Sequence, residues 1–264
     1  MSEKPIIRWA GSKRKLLPTL LKHLPAEYER YVEPFCGSAC LFFAQNQKKA
    51  LLSDFNGELT NALLLIKRTK NLHELLINIP STKEEYYRQR SINPDDLSTR
   101  ERAIRFLYLN RYCFNGVYRT NMSGQFNVPR GTKTGDFPAN EVFENARKKL
   151  RQTTIKTSDY TETLASLCSG DFAYIDPPYS KSGTFTGEYG VNSFTSNKLN
   201  DLIDQLHDLN SKGVKFLFSY RLCEETTTEL SKYYHVENLK VKRHISGFKK
   251  SWDIADEILV KNYG

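Results

Sequence analysis

The chain lacks any apolar run near the ~18 residues that a membrane-spanning helix needs, and its opening Met1-Ser2-Glu3-Lys4-Pro5 has no stretch resembling a secretory signal. A cytoplasmic protein with no membrane partner is therefore expected. Cysteine is sparse and odd in number: Cys36, Cys40, Cys113, Cys168 and Cys223 are scattered, with no C-x-x-C pair and no histidine at ligand spacing. That pattern argues against a zinc site and a disulfide framework, so no metal and five reduced thiols are expected. Internal repeats and low-complexity segments are missing too. So is the G-x-G-x-x-G spacing that lets a turn approach a pyrophosphate.

What the sequence does have is core material, with 39% hydrophobic and 26% charged residues over 264 positions, which fits one globular unit, or one unit carrying an inserted subdomain. Its net charge of +9 is unevenly placed. Residues 60–160 contain 18 basic and 10 acidic side chains, an excess of +8, while residues 1–59 carry +3 and residues 161–264 carry −2. A basic segment between near-neutral ones suits a lobe that binds a polyanion, nucleic acid by default. A solvated basic surface would give the same count.

Tyr31-Val32-Glu33-Pro34 reads as a strand entering the turn Phe35 to Ala39, followed by the helical run Leu41 to Ala44 and a second strand, Ala50 to Ser53, ending at Asp54. This is the start of a doubly wound α/β sheet. Residues 60–80 and Arg100 to Tyr112 have apolar positions at helical spacing. Asn115 to Pro138 shows no periodicity and reads as a long functional loop. Strand character returns at Phe172 to Ile175 and at Val214 to Phe218, on either side of an amphipathic helix through Leu199 and Leu209. Val236 to Ile245 and Glu257 to Val260 suggest a closing hairpin at the sheet edge.

Three elements fall at the C-terminal ends of these strands, where open α/β sheets bind ligands. The first is the turn Pro34 to Ala39, whose Gly37 permits close backbone approach, although one glycine also suits an ordinary turn. Asp54 is the second, placed to accept hydrogen bonds from ribose hydroxyls. The third, Asp176-Pro177-Pro178-Tyr179, ends an apolar strand. Its two prolines fix φ and remove two donors, so the Asp176 carboxylate and a proline carbonyl can accept both hydrogens of an NH2 group while Tyr179 stacks on the ring bearing it. Two acceptors favour the pyramidal, nucleophilic form of an aryl amine, which stabilises a transition state rather than a ground state.

Together with Arg8-Trp9-Ala10-Gly11-Ser12-Lys13, Tyr31 to Gly37, Leu109 to Asn121, Gly124 to Pro129, Asn192-Ser193-Phe194-Thr195 and Glu257 to Tyr263, this Asp-Pro-Pro-Tyr resembles the Dam-type (D12 class) DNA adenine-N6 methyltransferases. The resemblance covers nearly the whole chain in the family's order. It implies a Rossmann-like S-adenosylmethionine-dependent methyltransferase core in residues 1–59 and 161–264, interrupted by a mainly helical target-recognition domain in residues 60–160. It implies S-adenosylmethionine as cofactor, lined by Trp9, Lys13, Glu33, Phe35, Gly37, Asp54 and Asp176, with Asp176, Pro177, Pro178 and Tyr179 as the catalytic motif.

Double-stranded DNA is the partner implied, contacted by Arg8, Phe114, Val117, Arg119, Asn121 and Pro129, with a flipped adenine stacked on Tyr179 and GATC as target. Arg8 and Arg119 would read guanine by bidentate pairing, and Phe114 would wedge into the duplex. A monomer in a prokaryotic or viral setting is expected. The chain departs from the family at Ser12 and Ala39, where glycine is usual, and at Phe218-Ser219-Tyr220, where Ser-Asn is commoner. Rival readings are an RNA or protein-glutamine N-methyltransferase, the latter usually with Asn in place of Asp176, and a catalytically silent DNA-binding module.

Overall fold

A computed structural model describes residues 5–121, 123–179, 194–244 and 252–264; the side chains of 241–244 and 252–255 fall outside that description. Asn192 and Ser193 of the expected motif, and Ile245 at the end of the expected strand, lie outside the described residues.

Among the described residues, seven strands form one sheet: β1 (Arg30–Glu33), β2 (Ala50–Asp54), β3 (Thr153–Thr157), β4 (Asp171–Ile175), β5 (Lys215–Arg221), β6 (His235–His244) and β7 (Trp252–Lys261). Their order is 3-2-1-4-5-7-6. The first five run parallel, and β7 is antiparallel to both β5 and β6. This is the mixed, mostly parallel α/β sheet that the sequence suggested, with the closing hairpin at one edge. The order reverses between β1 and β4, so a crevice opens at the C-terminal ends of those two strands.

The helices are α1 (Leu17–Lys22), α2 (Cys40–Ala44), α3 (Gly57–Arg68), α4 (Leu72–Ile77), α5 (Lys83–Ser91), α6 (Thr99–Tyr112), α7 (Asn140–Leu150), α8 (Tyr160–Ala165), α9 (Ser196–Ser211) and α10 (Glu224–Ser231). Strand side chains alternate between the two faces. Val32, Ala173, Ile175, Phe216 and Phe218 pack on one side with α9, while Tyr31, Leu52, Phe172, Tyr174 and Leu217 pack on the other. The second cluster continues without a break into the middle of the chain through Leu63, Leu107 and Tyr108.

Two features depart from the expectation. The strand β3 lies inside residues 60–160, yet it pairs with β2 along its whole length, so the sheet takes in the end of that segment. It is an edge strand with only alternate side chains buried, and Thr-Thr-Ile-Lys-Thr carries too little apolar signal to read as one. The helices α3 and α7 flank this crossover: Thr60 Oγ1 hydrogen-bonds Thr157 Oγ1 at 2.6 Å, and Lys67 Nζ donates to the Thr153 carbonyl at 2.8 Å. The stretch from Asn115 is also more ordered than a structureless loop. An antiparallel bridge at Thr120 and Phe126 is supported by Asn127 N donating to Arg119 O at 3.1 Å and Asn121 N to Gln125 O at 2.9 Å.

Because one apolar cluster spans the sheet face and the middle helices, Leu107→Ala should lower the stability of the whole protein by about 2–5 kcal/mol. Urea denaturation followed by fluorescence and by circular dichroism should show one coincident, shifted transition; two separate transitions would mean that the middle segment unfolds on its own.

Candidate active site

The Gly37 turn, Asp54 and the Asp176 to Tyr179 motif each sit where a strand ends. After β1 the chain turns through Gly37 at φ +47° and Ala39 at φ +50°, both left-handed, and starts α2. A Cβ at Gly37 would lie 2.8 Å from Trp9 Cδ1, so the indole presses on the bare turn. Ala39 takes the left-handed conformation that the family's glycine would supply, at the cost of the Cβ strain that glycine avoids. Asp54, closing β2, joins the two loops: Oδ2 accepts from Gly37 N at 2.9 Å and Oδ1 from Asn56 N at 3.0 Å. Burial raises its proton affinity, and both backbone bonds oppose that shift.

Deeper in the crevice, Lys13 is 6% exposed and makes three polar contacts. Its ammonium is 2.8 Å from Asp176 Oδ1, 3.5 Å from Glu257 Oε2 and 3.0 Å from the Tyr179 hydroxyl, which itself donates to Glu257 Oε1 at 3.0 Å. Burial alone would drive this lysine toward neutrality, but Asp176, Tyr179 and Glu257 outweigh it and lift its pKa well above the ordinary value. Burial also lifts Asp176, opposed by the Lys13 ammonium 2.8 Å away. Ser219 Oγ donates to the same Oδ1 at 3.0 Å and hydrogen-bonds the Tyr174 hydroxyl at 3.1 Å.

Trp9, Lys13, Glu33, Phe35, Gly37, Asp54, Asp176, Pro177, Pro178 and Tyr179 all line a single cavity of about 160 Å³. A larger cavity, about 560 Å³, lies outside this constellation and shares only Ser38 and Cys40 with it. Arg8, Phe114, Val117, Arg119, Asn121 and Pro129 do not line the site cavity. Arg8 lies against Gly116, where a Cβ would be 2.5 Å from its own, and its Nη1 donates to the Arg111 carbonyl at 2.9 Å. Phe114 is 46% exposed, and its N–H donates to the Pro129 carbonyl at 2.9 Å. Arg119 Nε donates to Asn127 Oδ1 at 2.9 Å, and Asn121 Oδ1 accepts from Ser123 N and Gln125 N to close the hairpin turn.

Sequence reasoning missed several members of the site. Phe55, 58% exposed, stands at the mouth, and Phe35 stacks on Tyr160 at 4.9 Å with Phe194 edge-on at 6.0 Å. Glu257 and Ser219 were not singled out as site residues either. A carboxylate directly before the apolar run Ile258-Leu259-Val260 is the one signal that could have found Glu257.

Glu33 is 3% exposed; its Oε1 accepts from the Tyr31 hydroxyl at 2.6 Å and from Phe42 N at 3.0 Å. Burial pushes its carboxyl up to about 8, against the pull of those two donors. Between the ordinary glutamate value and about 8 the unfolded chain has lost this proton and the folded one keeps it, so Glu33 destabilises the fold increasingly as pH rises through that window. Glu33→Gln should therefore melt higher than wild type at pH 8.5, by at least ~1 kcal/mol, with the advantage shrinking toward pH 5. Thermal melts across this range check the sign.

The family model of the D12 class N6 adenine-specific DNA methyltransferases matches residues 9–245. Among curated proteins, the Type II methyltransferase M1.LlaDCHI of Lactococcus lactis subsp. cremoris is 35% identical over 99% of this chain and 96% of its own length. The Retron Ec67 DNA adenine methylase of Escherichia coli is 37% identical over 79% of this chain and 74% of its own. The DNA adenine methylase of Escherichia coli strain K12 is 31% identical over 97% and 94% respectively. With a family match across most of its length and relatives above 30% identity end to end, the chain belongs to the D12 class of N6 adenine-specific DNA methyltransferases.

Proposed function

We propose that this protein transfers a methyl group from S-adenosylmethionine to N6 of an adenine flipped out of duplex DNA. The observation that carries the reading is the convergence of the Gly37 turn, Asp54 and the Asp176-Pro177-Pro178-Tyr179 motif on one cavity, with Lys13 holding the last of these. The donor set fits the cofactor. Three carboxyl groups, Glu33, Asp54 and Asp176, face a molecule that carries a sulfonium, an ammonium and ribose hydroxyls, and the aromatic rings of Phe35 and Phe55 offer faces for its base. S-adenosylmethionine supplies an activated methyl group when bound.

The protein's own groups orient the amine. Among the described residues, the hydrogen bonds to the Asp176 carboxylate converge on Oδ1. That leaves Oδ2, with the Pro177 carbonyl, to accept the two N6 hydrogens and to hold the nitrogen lone pair toward the cavity. After transfer the nitrogen carries one proton too many, and Oδ2 is placed to receive it; burial raises its affinity for that proton. GATC is the proposed target, because Arg8, Arg119 and Pro129 occupy positions that match those facing GATC in Dam-type enzymes. Asn127, bonded to Arg119 Nε, leaves the terminal nitrogens of that guanidinium for guanine O6 and N7. The basic middle segment is proposed as the recognition domain.

Radiolabelled methyl transfer onto a GATC duplex should be seen with wild type and fall by about 10²–10⁴ in Asp176→Ala, the range for loss of a positioned proton acceptor. Labelling of RNA or a glutamine peptide in preference to the duplex would favour the rival substrates, and binding without transfer would favour the silent module. Sequencing for modified adenines tests the target. The logarithm of duplex affinity should also fall linearly with the logarithm of salt concentration, and a flat response would remove the phosphate-tracking role of the middle segment.

A further inference from the structure

The segment from Arg8 to Lys13 runs past every part of the proposed machinery. Arg8 N donates to Asn110 Oδ1 at 2.8 Å, and Asn110 Nδ2 returns to the Arg8 carbonyl at 2.6 Å, fixing the backbone against the end of α6. Lys13, five residues on, holds Asp176. Between them, Trp9 has the Gly37 turn against one part of its ring and the ring of Tyr118 stacked on it at 5.8 Å and 26°.

Tyr118 lies between Val117 and Arg119 in the recognition loop, yet it turns inward. It packs on Phe106 at 5.7 Å and Phe126 at 5.8 Å. Tyr118 does not line the site cavity itself. From the recognition loop, one ring therefore reaches the Gly37 turn of the proposed cofactor site through Trp9.

We propose that Tyr118 is a positioning residue that couples engagement of the duplex to capture of the cofactor. The inference rests on the function proposed above, in which the cavity takes S-adenosylmethionine and the flanking Val117 and Arg119 face DNA. Contacts that fix residues 117 and 119 on a duplex also fix the ring between them, and the indole is then held against the glycine turn. By linkage, cofactor and duplex then raise each other's affinity by the same factor. Aromatic stacking supplies the strength, since an offset pair contributes beyond its buried area.

The test is cofactor binding by calorimetry, with and without a GATC duplex, and needs no turnover. In wild type the duplex should tighten S-adenosylmethionine by a factor within the usual range of about 5–150. Tyr118→Phe, which keeps the ring, should retain most of this factor. Tyr118→Leu should bring it close to 1 and weaken the cofactor alone by roughly tenfold, a loss within the same range of coupling. Tyr118→Met, with a flexible apolar filler, gives a second variant should the leucine not fold. Phe126→Leu removes a ring from the same cluster without touching Trp9 and should leave the factor intact. A folded Tyr118→Leu or Tyr118→Met with the wild-type factor overturns the inference, as does an equal loss in Phe126→Leu or a wild type whose cofactor affinity ignores the duplex. Wild type that binds no S-adenosylmethionine overturns the cofactor assignment as well, so the two failures are told apart.

Discussion

A lysine ammonium with almost no access to water must be surrounded by acceptors or lose its proton, and this requirement at Lys13 organises the site. Its partners come from distant parts of the chain: Asp176 and Tyr179 from the loop after β4, and Glu257 from β7. Removing any one of them would leave the others with an uncompensated buried charge or an unpaired donor, which costs more than the pairing contributes. Asp176 and Glu257 set two carboxyl groups against one ammonium, and the carboxyl groups of Asp54 and Glu33 line the same cavity. That acidic lining is complementary to the cationic cofactor proposed above, and burial raises the proton affinity of Glu33 within it.

The sheet explains how the partners meet. A parallel sheet collects its strand ends at one edge, and the reversal of order between β1 and β4 leaves that edge uncovered. Parallel strands alone would not deliver Glu257. The insertion of β7 between β5 and β6, antiparallel to both, runs the chain back across the site and pairs Arg221 with Glu257 in register. The same β5 presents Ser219 one step from Tyr220, so the hydroxyl that bonds Asp176 and the ring that packs edge-on against Tyr179 at 5.4 Å come from one strand.

How much of this was legible follows from how each residue acts. Asp176 to Tyr179, Gly37 and Asp54 were readable because their chemistry is local: a proline pair, a bare turn, and an acid at a strand end. All of these meet in the cavity, as do Trp9, Lys13, Glu33 and Phe35, which the family resemblance brought in. Glu257 and Ser219 were not readable as parts of the site, because each acts through a partner at least 43 residues away in sequence. The strand β3 escaped for a different reason, since an edge strand with one exposed face needs little hydrophobic signal. The N-terminus of α6 adds a local device that the sequence reading passed over: Ser98 and Glu101 form a capping box, and both of its reciprocal bonds form.

The charge of the middle segment illustrates the distance between a count and a field. Arg105 and Arg111 contribute to its excess of +8, yet they are 5% and 3% exposed. Arg105 donates to the carbonyls of Gln89 and Arg90, and Arg111 to those of Pro5 and Ile6; burial pushes the latter down to about 10. Neither can reach a phosphate, so setting both aside leaves +6 for the surface. Arg88 and Arg147 pair with Glu85 and Glu144 on their own helices, which removes base and acid equally and leaves the excess unchanged. Arg102 of α6 pairs with Glu58 of α3. The two buried arginines instead tie the ends of α5 and the N-terminal strap to α6. Part of the basic composition therefore builds the lobe, and the remainder sets the field that a polyanion meets.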